Sequence, residues 1–330
     1  MDALTLRTPV DVLAAVPYLL GFHPTDSLVA LAVRGRKLVF QARTDTPPPT
    51  EATGLARRLA AVLARHGPTG VLLVGYGPPE PTGTALATFT VVFEGVGVPV
   101  VDAIRADRGR WWRPDCDDPE CCPVEGIPYD PDVTEVAAAA TFAGMAAAPT
   151  RETLSALLAP IGGPGLEPEL QRAAERLTEL SAAGTRRRGS AARAAVNQAL
   201  ATRRAGGRLD DADVAWLATL LTDTRVRDDA WRRIVSADND PAHAELWREV
   251  LRRVPDRYVP APATLYALCA WRRGDGTTAN LAVQRALDVD PGYRMADLLG
   301  RALMAGLSPS ALDELPGPVV TRRRPRIRGA

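Results

Sequence analysis

Apolar and polar positions follow two regimes along this chain, and the change between them near Asp132 predicts two kinds of structure. In the first regime helical and strand patterns interleave. Thr8 before Pro9 predicts a helix start, since threonine caps and a proline at the first helical position gives up no hydrogen bond. The run VDVLAAVPYLLG carries that helix toward Gly21, with Pro17 expected to kink or end it. SLVALAVRG and KLVFQARTD, joined at Gly35, read as a strand hairpin. EATGLARRLAAVLARHG is an amphipathic helix with Arg57, Arg58 and Arg65 outside, stopped by Gly67. GVLLVGYG is short and continuously apolar, as in a strand buried on both faces. TALATFTVVFEGVG has strand-forming residues, yet its position between two strand runs and its glycine ending predict a crossover helix. VPVVDAIRAD is then a strand and GRWW its hairpin partner, so Trp111 and Trp112 face opposite sides. The order predicts an α/β N-terminal domain with a mixed sheet over residues 1–131.

From Asp132 onward only helical periodicity remains, with glycine and proline between the periodic runs, which predicts a second, all-α helical domain. Residues 132–209 read as a helical connector and residues 210–320 as the helical domain proper, with a disordered basic tail at 321–330. Trp231 and Trp247 fall on apolar helix faces and read as core. The stretch from Ala261 to Gly306 gives a helix, a Gly-Asp-Gly turn, a second helix, Asp-Pro and a third helix. Ala267, Ala279, Val283, Ala286 and Pro291 match the small, apolar and closing positions of one tetratricopeptide-like unit. One unit predicts a helical hairpin and a surface for a protein partner, rather than a full solenoid groove.

Composition bounds the function classes. Hydrophobic residues make up 46% and charged residues 24%, ordinary for a folded protein with real cores. No apolar run reaches membrane-spanning length, and MDALTLRTPV lacks the basic start and apolar middle of a signal peptide, so a cytoplasmic protein with no membrane partner is expected. In that compartment cysteines are reduced, metal-bound or transiently redox-active rather than disulfide-bonded. Net charge is +1, and Lys37 is the single lysine among 40 basic residues. Arginine is therefore a compositional habit of this chain. The runs Arg186–Arg188 and Arg322–Arg328 read as a solvated loop and tail, which weighs against nucleic acid as a partner.

Two local clusters could carry chemistry. In RGRWWRPDCDDPECCPVEGIPYDP, Cys116, Cys121 and Cys122 lie in a C-x4-C-C arrangement inside a loop at residues 113–128. Zinc is the one cofactor for which ligands are on offer, with Cys116 and Cys121 first, Cys122 next and His23 as a nitrogen donor if its turn folds against the loop. Adjacent cysteines are poor partners on one ion, and the surrounding Asp115, Asp117, Asp118 and Glu120 raise a thiol pKa, so a proline-stiffened connector with inert thiols is the preferred expectation and no cofactor is assigned. The second cluster is LLGFHPTDSLVAL. His23, Asp26 and Ser27 contain the elements of a triad, but they crowd one turn, and no G-x-S-x-G occurs. VGYGPPEPTGTA places glycines after a strand without a phosphate-binding spacing or P-loop lysine. The candidate pocket therefore comprises His23, Asp26 and Ser27 with Arg110, Trp111 and Trp112, and no catalytic residue is assigned.

PYLLGFHPTDSLV, VGYG, GRWW with the following C-x-DP-x-CCP-x-EG-x-P, AWxxGDG and RALDVDPGY together resemble the actinobacterial domain-of-unknown-function family 4192, over essentially the whole chain. The resemblance implies an actinobacterial cytoplasmic protein and carries no activity or catalytic residue. It marks the Trp111–Pro128 loop and the His23 turn as features of the family. The expected function is a regulatory or protein-binding module. An enzyme with a pocket at the strand ends is the rival, and convergence of His23, Arg110 and the thiols in one cleft would favour it.

Overall fold

The computed structural model describes residues 6–163 and 165–312. The arginine tail from Arg322 lies outside the described residues. The first regime of the sequence folds in the order α1 (Pro9–Leu20), β1 (Ser27–Arg34), β2 (Lys37–Asp45), α2 (Pro49–Ala64), β3 (Gly70–Tyr76), α3 (Thr84–Gly95), β4 (Val100–Asp107), β5 (Arg110–Trp112) and β6 (Ile127–Pro128). Helices α4 (Glu135–Phe142) and α5 (Arg151–Ala156) follow. α1 begins as its sequence predicts: Thr8 and Asp11 form a reciprocal capping box. It does not end at Pro17, however, but runs on to Leu20 and Gly21 in the left-handed conformation. Proline removes a single hydrogen bond, to the Leu13 carbonyl, and burial of the surrounding apolar face holds the remaining turn.

One six-stranded mixed sheet results, ordered β2-β1-β3-β4-β5-β6. β1 is antiparallel to both β2 and β3, while β3 and β4 are parallel across the α3 connection. β1 and β3 bury both faces, and β4 does so from Ala103 to Ala106. Leu28, Ala30, Val71, Leu73 and Ala103 face α2 and α3, whose Ala56, Ala60, Phe89 and Phe93 fill that layer. Val29, Leu31, Val74, Ile104 and Trp111 face α1 through Leu13, Val16 and Leu20. α4 adds Val136 against Ala14 and Ala15 on the far side of α1. The arrangement is therefore three-layered, with helices on both sides of the sheet.

β6 is an element the periodicity did not predict. It is two residues long and pairs Trp111 with Ile127, so the cysteine loop closes a hairpin rather than trailing away from the sheet.

The chain divides into two compact units, one reaching Ile161 and including Asp275–Ala282, the other comprising Gly162–Gly274 and continuing from Val283. The division between Ala282 and Val283 falls inside one helix. After α5, only helices and short 3-10 turns occur among the described residues: α6 (Leu166–Ala182), α7 (Thr185–Arg204), α8 (Asp211–Leu220), α9 (Thr224–Ser236), α10 (Pro241–Arg253), α11 (Pro260–Arg272), α12 (Gly276–Val289) and α13 (Arg294–Met304). α11 is buried from Pro260 to Trp271, and Trp247 of α10 is wholly enclosed, whereas Trp231 is only half-buried. Arg186–Arg188 form the first turn of α7 rather than a loop. Arg186 and Arg187 are exposed, as their charge predicts, while Arg188 pairs with Asp223 at 2.8 Å.

Candidate functional site

A cleft in the first unit has a volume of about 450 Å³ and opens where β3 and β4 end. Tyr76 and Gly77 come from the end of β3, and Ala106, Asp107 and Arg108 from the end of β4. His23, Pro24, Thr25 and Asp26 come from the turn before β1, Leu13 and Pro17 from α1, and Tyr129 and Pro131 from the segment after β6. Proline at 17 cannot bond the Leu13 carbonyl, so the one interrupted turn of α1 borders this cleft.

Local chemistry fixes each wall. The His23 amide donates to the Ala148 carbonyl and the Ala148 amide to the Gly21 carbonyl, so the segment around Ala148 straps the turn. Asp26 stands at φ +43°, outside the region that non-glycine residues favour, and its carbonyl accepts from the Thr46 amide at 2.8 Å. Arg108 and Gly109, both with positive φ, form the two-residue turn between β4 and β5. Gly77 approaches Thr82 so closely that a Cβ would overlap the threonine hydroxyl. Its carbonyl accepts from the Arg105 guanidinium, which lies 3.7 Å above the Trp112 ring and is buried with its charge. Burial lowers the Arg105 pKa, and Asp107 opposes that shift.

Tyr76 is the unusual group. It is 8% exposed, and its hydroxyl is shut off from solvent with no hydrogen-bond partner among the described residues. Burial raises its pKa well above the ordinary phenol value, and Tyr129 adds to the rise. Tyr129 is itself raised, first by burial and then by Asp107. Both phenols are therefore neutral at physiological pH and available as donors or acceptors.

The residues singled out from sequence part company here. His23 and Asp26 line the cleft, and Ser27, Arg110, Trp111 and Trp112 are not among its walls. Ser27 is fully buried. Its hydroxyl donates to the Thr25 carbonyl and accepts from Arg43 at 3.0 and 2.7 Å, so its hydrogen bonds go to Thr25 and Arg43 rather than to His23. Arg110 donates to the carbonyls of Glu125 and Gly126 and serves the cysteine loop. Trp111 is core, while Trp112 donates its indole N–H to the Val124 carbonyl at 3.0 Å and lies under the loop. Cys116, Cys121 and Cys122 come together with all three Sγ atoms within 4.8 Å of one another, and His23 is not part of that group. Cys269 is a buried helix residue whose thiol pKa is pushed up to about 12 by burial, consistent with a core role.

Sequence reasoning overlooked Tyr76, Asp107, Arg108 and Tyr129. A signal for the first was present: VGYG ends an otherwise apolar strand with a hydroxyl-bearing ring before a glycine, at the end of a buried strand where α/β sheets bind ligands. Nothing local marks Tyr129 and Asp107, because they meet only through the β4-β5-β6 hairpins.

No curated protein and no solved structure matches the chain. The family signal is continuous, running from the start of α1 past the end of α13 and so taking in the His23 turn, the cleft and the cysteine loop. On that match, over residues 9–310, the chain belongs to the family described as Domain of unknown function (DUF4192).

Proposed function

We propose that the chain is a binding or regulatory protein that takes up a small, largely apolar molecule with a hydrogen-bonding group in the cleft at the ends of β3 and β4. The observation that carries this reading is that Tyr76 lines the cleft while its hydroxyl is buried with no hydrogen-bond partner among the described residues. A buried hydroxyl without a partner costs about 1–3 kcal/mol, and a ligand whose entry turns the Tyr76 ring enough to meet its hydroxyl recovers that free energy. The apolar body of the ligand is matched by Leu13, Pro17, Pro24 and Pro78, and its polar end by Tyr76, Tyr129 and the charged rim of Asp26, Asp107 and Arg108. The cleft volume suits a molecule of metabolite size.

The separation of His23 from Arg110 and the thiols supports binding over catalysis, because acid-base or nucleophilic chemistry needs those groups within hydrogen-bond reach of one substrate. The helical unit then supplies contacts to a protein partner. The tetratricopeptide-like form is the mode proposed, on the Gly-Asp-Gly turn and the matching Ala267, Ala279, Val283, Ala286 and Pro291 of the sequence. The net charge of +1, with arginine spread through the whole chain, supports setting nucleic acid aside. An actinobacterial, cytoplasmic setting accords with the family resemblance and with four unpaired cysteines.

The test is a thermal-shift screen of the whole chain against amino acids, hydroxy acids, nucleosides and aromatic acids. A ligand of the cleft raises Tm for the parent protein and not for Tyr76→Phe. Compounds that stabilise both proteins equally, with none selective for the parent, would exclude the cleft as the binding place.

A further inference from the structure

The loop between β5 and β6 is held from outside itself. Arg113 forks onto both oxygens of Asp102 at 3.1 and 2.8 Å, Trp112 donates to Val124, and Arg110 donates to Glu125 and Gly126. Gly126 stands at φ +79° against the Trp112 ring, where any Cβ would overlap the indole. Inside this frame the chain coils back: the Cys116 amide donates to the Arg113 carbonyl at 3.2 Å, and the Cys122 amide to the Asp118 carbonyl at 2.7 Å. The Asp118 carboxylate also accepts from the Glu120 amide at 2.9 Å. The loop is thus tied to the sheet at both ends and to itself in the middle.

The coil brings three thiols to one point. Their Sγ atoms lie within 4.8 Å of one another, and the adjacent pair, Cys121 and Cys122, are 3.9 Å apart. With metal-sulfur bonds of about 2.3 Å, a tetrahedral zinc site needs sulfurs about 3.8 Å apart, and a trigonal one about 4.0 Å. The turn at Asp118 therefore overcomes the objection that neighbouring cysteines cannot share an ion. No other His, Asp or Glu among the described residues joins the group.

We propose that Cys116, Cys121 and Cys122 form a three-thiolate site for a thiophilic divalent cation, zinc in the cell, with its fourth position open to solvent or an exogenous ligand. Binding replaces three S–H protons, released to solvent, by three metal-sulfur bonds, with no change of oxidation state. Asp115, Asp117, Asp118 and Glu120 put negative charge around the thiols, which opposes reactive thiolates in the metal-free loop and favours a cation in the loaded one. Because binding releases protons, affinity rises with pH. None of the three cysteines lines the cleft, so this site stands or falls independently of the ligand reading.

The experiment uses the whole chain, reduced and stripped with chelator, titrated with Cd²⁺ while thiolate-to-cadmium charge-transfer absorption and proton release are followed. The expected result is a band that saturates at about one Cd²⁺ per chain, is displaced by Zn²⁺, survives in Cys269→Ser and is lost in the Cys116→Ser, Cys121→Ser, Cys122→Ser variant. Absence of a band in the parent, with its thiols shown to be reduced by reaction with a disulfide reagent, would overturn the proposal. A band that persists in the triple variant would overturn it too. So would a disulfide within the trio in protein purified under anaerobic, metal-replete conditions. The decisive titration is on the parent chain, so it still settles the proposal if the triple variant fails to fold.

Discussion

Replacing Tyr76 by phenylalanine removes one oxygen and keeps the ring. The ring is packed among Val74, Ala106 and Trp111, so its apolar burial is unchanged to first order. The oxygen contributes no hydrogen bond among the described residues, yet it is shut off from water. Folding has thus desolvated a hydroxyl without compensation, at a cost of about 1–3 kcal/mol, and Tyr76→Phe should recover part of it. The expected outcome is an unliganded protein as stable as the parent or more stable by about 0.5–2 kcal/mol, which in a unit of this size is a rise of a few degrees in Tm. Urea unfolding followed by circular dichroism measures this, with an unchanged m-value as the check that the unfolded state is the same. A loss of about 1 kcal/mol or more would refute the reasoning, since it would mean that the hydroxyl already has a partner.

The two tryptophans of GRWW should separate by cost. Trp111→Ala empties a core position and should cost about 3–5 kcal/mol, whereas Trp112→Ala loses one indole hydrogen bond and the Arg105 contact, about 1–3 kcal/mol, in the same denaturation assay. Arg108→Asn should stabilise by up to about 1 kcal/mol, because asparagine tolerates the left-handed turn position better than arginine, while weakening any anionic ligand of the cleft; equal or lower stability would contradict the turn argument. Burial lowers the pKa of His243 in α10, with Asp240 opposing and Arg204 and Arg233 assisting. The unfolded state then takes up the proton first on acidification, so this contribution to stability is complete above about pH 6.5 and declines below it. Denaturation at about pH 7.5 and about pH 5.5 should show a smaller decline in His243→Gln than in the parent, and identical slopes would rule out His243 as a source of the pH dependence.

The middle of the sheet was readable because β1 and β3 are buried on both faces, and continuous apolar runs such as GVLLVGY have few other places to go. α3 was readable only from its position, since its residues favour a strand, and packing of Phe89 and Phe93 onto the sheet decides it. The span of α1 was readable from Thr8 to Gly21, and of the two effects expected at Pro17 the helix end does not occur, because tertiary burial holds the last turn. Of Arg186–Arg188, the first two are exposed as a charge run signals, but the segment is a helix turn rather than a loop, and Arg188 has a carboxylate partner 35 positions away in sequence. The cleft was half legible. His23 and Asp26 sit on a turn whose composition is conspicuous, whereas Asp107 and Tyr129 acquire their place only when β5 and β6 pair. The thiol cluster was legible as residues and not as geometry, for the coil at Asp118 depends on backbone bonds that no spacing rule contains.

The central claim is that the cleft at the ends of β3 and β4 is built to hold a ligand. A crystallographic fragment screen tests it most directly, because it reports position as well as binding. Fragments are predicted to collect between His23, Asp26, Tyr76 and Tyr129, with a polar atom of the bound molecule on the Tyr76 hydroxyl. Fragments bound at other places, with this cleft left empty in crystals where it is open to solvent, would contradict it.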